Sequence, residues 1–257
     1  MNLLKNIAVA FSMYSKIPMP QFAWTKENMR YALCFFPLIG AAVGVCVWIW
    51  GQLSFRLPFG NLFVTGVFLL IPVIVTGGIH LDGLLDTSDA LSSWQPRERR
   101  LEILSDSHAG AFAIIVCCSY FIAALAVWSE VTTDLLLVLA GGYCLSRSLS
   151  GFGIATFPCA KSSGLAATFA DQADKKKCRV ILLCEAIASS LFMIGMQPLC
   201  GILAVAAAWL TMLGCRKMCM NKFGGITGDT QGFFLQICEL LMAFAAVIGS
   251  KVFIINY

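Results

Sequence analysis

The sequence predicts an all-α fold: a polytopic integral membrane bundle of about seven transmembrane helices, preceded by an N-terminal amphipathic or short membrane helix. Three observations carry that prediction. Of 257 residues, 59% are hydrophobic and only 12% charged, about half the charge that a soluble domain needs to cover its surface. Seven apolar stretches approach or exceed the roughly 20 residues that a helix needs to cross about 30 Å of hydrocarbon. They do not alternate with polar residues, as the strands of a membrane barrel must. The spans consume well over half the chain, so residues 1–257 read as a single membrane-embedded domain. Disorder, a nucleic-acid-binding domain and a disulfide-rich secreted scaffold are excluded.

Taken in order, residues 3–13 are apolar but end near Lys5 and Lys16, which hold them at the membrane surface as a half-buried amphipathic helix. No small-residue cleavage site follows, so they do not form a signal peptide. Hydropathy then places spans at 31–53, 62–79, 109–128, 135–155, 180–196, 199–213 and 233–255. Gly40 and Gly44 form a small-x-x-x-small pair in the first span, a device for close helix packing. With the N-terminus inside, the inner side holds Lys5, Lys16, Lys26 and Arg30, then Arg97, Arg99 and Arg100. It also holds Lys161, Lys175, Lys176, Lys177 and Arg179, then Arg216, Lys217 and Lys222, which makes 15 of the 18 Lys and Arg residues. Only Arg56 and Lys251 fall outside, and Arg147 lies within the fourth span. Short loops rich in Lys and Arg stay in the cytoplasm, so the N-terminus is expected inside and the C-terminus outside. The net charge of +4 then reflects topology and anionic lipid, with no nucleic-acid partner. The twelve cysteines are scattered without a C-x-x-C pair, which speaks against structural zinc; those within spans act as small apolar groups.

The acidic residues are concentrated. Asp82, Asp86 and Asp89 lie in the stretch that leaves the second span, and Asp106 follows a basic segment. On a helix at 100° per residue, the first three share one face. Like charges at that spacing repel, so their clustering calls for a cation. Hard carboxylate oxygens without nearby thiolates suit Mg²⁺ or Mn²⁺, and Mg²⁺ is usually shared with substrate phosphate. The expected chemistry is phosphoryl transfer on the cytoplasmic side. Arg97, Arg99 and Arg100 have two readings, a phosphate clamp or surface pairing with Glu98 and Glu102. A second polar stretch, Gly224 to Gly232, holds four glycines around Asp229 just before the last span. Its backbone can approach a ligand closely, with Gly228, Asp229 and Thr230 as contacts. Neither it nor any other segment has the spacing of a P-loop. Arg147, Glu185 and Glu239 are ionisable groups in or beside spans, and are expected to line a polar cavity open to the cytoplasm. His80 and His108 flank the cluster as candidate proton shuttles, with a plain helix-end hydrogen bond as the alternative for His108.

These residues resemble the adenosylcobinamide-GDP ribazoletransferase family, also called cobalamin-5′-phosphate synthase. The resemblance rests on the run Gly77 to Ala90 (G-G-I-H-L-D-G-L-L-D-T-S-D-A), on Arg97 to Ser107, on Gly110-Ala111-Phe112 and on Gly224 to Thr230. Lys16 to Pro20, Phe36 to Gly40, Arg147, Ser163-Gly164-Leu165 and Glu239 extend it over essentially the whole chain. Departures are His108-Ala109 and Ala113 around the Gly-Ala-Phe turn, and Gln231 and Phe233 beside Gly232. The resemblance implies a bacterial inner-membrane enzyme of late cobalamin assembly, with its active site facing the cytoplasm. It would join adenosylcobinamide-GDP to α-ribazole or its 5′-phosphate, requiring Mg²⁺ and releasing GMP. Asp82 and Asp86 are then expected to hold Mg²⁺, Asp89 and Asp106 to hold a second metal or act as general base, and His80 to move a proton. Arg147, Arg97 and Arg100 would bind phosphate, while Asp229 and Glu239 would orient a sugar or ligate metal. A homo-oligomer, or association with other cobalamin-assembly enzymes, stays open. Of two rival readings, a CDP-alcohol phosphotransferase lacks its D-x-x-D-G-x-x-A-R order here. A cation-coupled transporter would place its acids near the midplane, between inverted halves.

Overall fold

A computed structural model of the chain describes residues 3–106, 108–162 and 164–255. Ser107 and Ser163, both in family-like stretches, lie outside the described residues. The elements are α1 (Leu3–Tyr14), α2 (Lys26–Met29), a 3₁₀ turn (Ala32–Phe35), α3 (Phe36–Ser54), α4 (Asn61–Thr76), α5 (Ile79–Ser92) and α6 (Arg97–Ile103). They continue with α7 (Ala111–Trp128), a 3₁₀ turn (Thr133–Leu135), α8 (Leu136–Thr156), α9 (Leu165–Gln172), α10 (Lys175–Met196), α11 (Pro198–Lys222) and α12 (Gly228–Ile255). Among the described residues, six helices are long and apolar enough to cross a membrane, and seven if the bent pair α4 and α5 is one span. The protein is thus a polytopic helical membrane bundle, with α1 as the short apolar helix before it. Large side chains such as Leu62, Ile74, Ile122, Leu191 and Leu210 are exposed on its outside, as hydrocarbon surroundings require.

The central helix is α8, which packs on α3, α10 and α12. Its glycines and serines let neighbours approach closely, because small side chains bring helix backbones into contact where lipid offers no hydrophobic drive. Gly44 of α3 shows the effect: a Cβ there would stand 2.7 Å from the Ala140 carbonyl oxygen. Gly40 meets the backbone of Tyr143 in the same way, so the small-x-x-x-small pair serves packing as expected.

Several boundaries differ from the hydropathy reading: α3 starts at Phe36 rather than 31, α10 at Lys175 rather than 180, and α11 runs to Lys222 rather than 213; two further differences shape the site. The second span does not run through to residue 79 but stops at Thr76, where Gly77 and Gly78 adopt φ of +68° and +80°. Only glycine takes such a pair of left-handed conformations without strain, and the chain turns by 95° into α5. The Lys16 side chain packs on Gly77 and its backbone N–H donates to the Val75 carbonyl at 2.8 Å, tying the N-terminal segment to the bend. At the other end of the chain, α12 starts at Gly228 rather than near residue 233. The Thr227 and Thr230 hydroxyls accept reciprocally from each other's backbone N–H at 3.1 and 2.8 Å. This arrangement satisfies the first donors of the helix and draws Asp229 into its first turn.

Candidate functional site

Because α5 leaves the direction of α4 by nearly a right angle, it lies across one end of the bundle and packs on α12 and α7. Two glycines set that packing. A Cβ at Gly83 of α5 would stand 2.6 Å from the Asp229 carbonyl oxygen, and one at Gly232 of α12 would stand 2.9 Å from the His80 carbonyl oxygen. With no side chain at either position, the two helices meet backbone to backbone. The acidic stretch and the glycine stretch, some 140 residues apart in sequence, therefore form one structure. Asp82 and Asp229 line the same cavity of about 310 Å³, and Asp86 feels the charges of Asp82, Asp229 and Asp89. Burial and those charges push the Asp86 carboxyl up to about 6; the carboxylates repel one another without a cation between them.

The glycine stretch is held from below by the chain that follows α8. Ala160 N–H donates to the Ile226 carbonyl at 2.8 Å, and Ile226 N–H donates to the Pro158 carbonyl at 2.9 Å. Gly225 sits so close to Pro158 and Ala160 that a Cβ would fall 2.6 Å from either backbone. This pairing brings Lys161 onto the cavity wall, where its charge reaches Asp229 while its Nζ donates to Ser105 Oγ at 2.5 Å. His80 also lines the cavity. It is 4% exposed, and burial with the nearby Arg147 guanidinium pushes it well below the usual histidine range, so the imidazole is neutral. Its Nε2 has no hydrogen-bond partner among the described residues. Gly228 lines the cavity too, whereas the Thr230 hydroxyl is engaged at the helix cap.

The other sequence candidates do not line the cavity. Asp89 accepts from Gly110 N–H at 3.0 Å and Ala113 N–H at 3.3 Å, so it caps the N-terminus of α7, where a carboxylate also meets the positive end of the helix dipole. A Cβ on Gly110 would collide with that carboxylate, which accounts for the glycine of the Gly-Ala-Phe turn. Asp106 is exposed and accepts from His108 through both the ring Nδ1, at 2.8 Å, and the backbone N–H, at 3.0 Å. Those bonds hold its carboxyl below the usual range, and the local pairing is the helix-end reading of His108. Arg97 packs its guanidinium over Gly224 on the outside of the glycine stretch. Arg99 pairs with Glu102 at 2.5 Å, and Arg100 is half-buried with its Nε lacking a partner among the described residues. Neither Arg97 nor Arg100 lines the cavity.

Arg147, Glu185 and Glu239 do not share one cavity. Arg147, fully buried on α8, forms an ion pair with Glu239 of α12, and Ser146 Oγ donates to the same carboxylate oxygen at 2.9 Å. Glu185 stays apart on α10, with Oε2 buried and unpartnered among the described residues. Only Nη1 of the guanidinium is engaged, Nε and Nη2 being buried without a partner among the described residues, and neither member of the pair lines the cavity.

Among the described residues, no three His, Cys, Asp or Glu side chains converge to hold a metal ion by themselves. The donor chemistry nevertheless fits magnesium. Two carboxylates facing one cavity, with a third close by and raised by burial and by their charge, suit an ion that is held by one or two carboxylates and completed by substrate phosphate. Sequence reasoning missed Lys161, Tyr14, Phe36, Ser150 and Gln231 on the lining. Only the pairing of residues 158–160 with Ile226, a contact between distant segments, could have exposed Lys161.

The chain matches the cobalamin-5-phosphate synthase family over residues 6–247. An adenosylcobinamide-GDP ribazoletransferase of Lachnoclostridium phytofermentans is 40% identical over 99% of this chain and 97% of its own length. Proteins of the same name from Clostridium botulinum and Desulfitobacterium hafniense are 33% and 31% identical, each over 95% of this chain and over 98% and 96% of their own lengths. No solved structure matches the chain.

Proposed function

We propose, from the premise that the chain belongs to the cobalamin-5-phosphate synthase family, that this transferase is an adenosylcobinamide-GDP ribazoletransferase with its site at the α5–α12 contact. The ribose 3′-hydroxyl of α-ribazole, or of its 5′-phosphate, attacks the phosphorus attached to cobinamide. A new oxygen–phosphorus bond forms, the pyrophosphate bond breaks, and GMP departs. The observation that carries this reading is the meeting of Asp82 and Asp229 on one cavity with Asp86 beside them, which gathers anionic side chains where a cation and a pyrophosphate would complete them.

Phosphoryl transfer asks a protein chiefly for position and for charge stabilisation. Asp82 and Asp229, with Asp86 in support, would hold Mg²⁺, which when bound supplies positive charge against the pyrophosphate and the departing oxygen. Lys161 adds a cation at the same wall and is fixed by Ser105 rather than by a carboxylate, leaving its charge for the substrate. The hydroxyl proton would pass to Asp86, the neighbouring carboxylate that does not line the cavity with the two metal-holding ones. The residue types at this end also support the reading. Lys16, Lys161, Arg97, Lys175 and Lys222 belong to the cavity end, and Arg56 and Lys251 to the far end, a bias that supports a site facing the cytoplasm.

The test is release of GMP from adenosylcobinamide-GDP by the purified chain in nanodiscs, with and without α-ribazole and Mg²⁺. Release that requires both supports the reading. Release without α-ribazole, or transfer from a CDP-alcohol instead, refutes it.

A further inference from the structure

The apolar part of the cavity is not explained by pyrophosphate chemistry. Tyr14, at the end of α1, and Phe36, at the start of α3, have ring centroids 4.4 Å apart, and Phe36 meets the His80 ring edge-on at 5.7 Å. Ile79, Ile154 and Leu235 complete this wall. Phosphate, ribose and divalent cations are strongly hydrated and gain nothing from such surroundings, whereas a planar apolar heterocycle does. The neighbouring polar groups are largely committed. Ser150 Oγ donates to Gln231 Oε1 at 3.0 Å, Thr227 Oγ1 accepts at the α12 cap, and Lys161 Nζ donates to Ser105. His80 Nε2 alone on this wall is buried and unpartnered among the described residues. A volume of about 310 Å³ is also at the small end of the range for small-molecule sites, roughly 300–1,000 Å³. It holds one nucleoside-sized group and excludes a corrin macrocycle.

Resting on the function proposed above, we infer that this cavity is the acceptor subsite and takes the dimethylbenzimidazole base of α-ribazole. The base lies against Tyr14 and Phe36, and the unpartnered His80 Nε2–H donates one hydrogen bond to its free ring nitrogen. The corrinoid stays outside the cavity. The alternative occupant is the guanine of the donor. Guanine carries several donors and acceptors on its edge, and this wall would leave most of them unpaired, a cost that disfavours it. Dimethylbenzimidazole has one free nitrogen and two methyl groups, matching one unpartnered imidazole and an apolar wall.

The experiment measures steady-state kinetics and competition with the full chain in nanodiscs. Dimethylbenzimidazole is expected to compete with α-ribazole, and guanosine is not. His80→Leu is expected to raise the KM for α-ribazole about 10-fold and to leave the KM for adenosylcobinamide-GDP within about 2-fold, with His80→Gln recovering most of the loss. Competition by guanosine instead of dimethylbenzimidazole, or a rise confined to the KM for adenosylcobinamide-GDP, overturns the assignment. Where a variant fails to insert, the competition on the unaltered protein decides alone. If that protein releases no GMP at all, the functional reading fails, and direct binding of dimethylbenzimidazole still tests the cavity. Ala167 of α9 also lines the cavity; saturable binding lost in Ala167→Phe, which fills the space, supports the subsite, and no saturable binding refutes it.

Discussion

Two groups of ionised side chains lie in this bundle, and they are built in opposite ways. Arg147 and Glu239 neutralise each other between α8 and α12, with Ser146 on the same carboxylate. Among the described residues, Asp82, Asp86 and Asp229 have no paired cation, and only the charge of Lys161 reaches Asp229. The first group carries its own counter-charge and joins two helices, although Arg147 Nε and Nη2 have no hydrogen-bond partner among the described residues. The second becomes complete only when something positive arrives. Arg147 is fully buried, where an unpaired charge is costly, whereas Asp82 is exposed and Asp86 and Asp229 are half-buried at the cavity, so the first group reads as a structural pair and the second as a site.

The comparison can be broken at either group. The largest expected effect is on catalysis: Asp82→Asn should lower the rate of GMP release by about 10²–10³-fold, while thermal stability and membrane insertion are unchanged. Full turnover by an inserted variant would remove Asp82 from the site. Glu239→Gln should act the other way round. It leaves Arg147 buried and unpaired, at a cost of about 3 kcal/mol, read as a lowered midpoint of thermal unfolding with less change in rate per folded molecule. An unchanged midpoint would show that the pair is dispensable. Next in size, Asp89→Ala removes the α7 cap and should cost about 1 kcal/mol of stability without altering Mg²⁺ dependence. A change in the Mg²⁺ requirement would return Asp89 to the metal.

The smallest effect is on pH. The folded-state value for Asp86 is about 6, raised from 3.8, so the folded protein binds the proton more tightly than the unfolded chain. Metal-free protein should therefore lose stability as pH rises from about 4 to about 6, by no more than about 1 kcal/mol once solvent screening is allowed for. Saturating Mg²⁺ should flatten that slope, and a slope of opposite sign would contradict the charge cluster.

Much of this arrangement was legible in the sequence because it is local. Hydropathy marks the spans, the Gly40 and Gly44 spacing marks the α3–α8 contact, and the period of the aspartates marks α5 as a helix. The rest depends on partners far along the chain. Gly77 and Gly78 look like part of an apolar run until their positive φ turns the helix. Asp89 reads as a third member of an acidic face, because the turn that it caps lies 21 residues away. Lys161 carries no local signal, and only the pairing of residues 158–160 with Ile226 brings it to the cavity. Glu185 and Arg147 look alike in hydropathy, yet only Arg147 has a carboxylate opposite it.

The central claim is that α5 and α12 supply one shared cation site. Its most direct test is the Mg²⁺ dependence of GMP release by Asp82→Asn, Asp229→Asn and the double variant. A shared site predicts that each single variant shifts or abolishes the Mg²⁺ response, and that the double variant is hardly worse than either, since groups acting as a unit are not additive. A wild-type Mg²⁺ response in Asp229→Asn would contradict it.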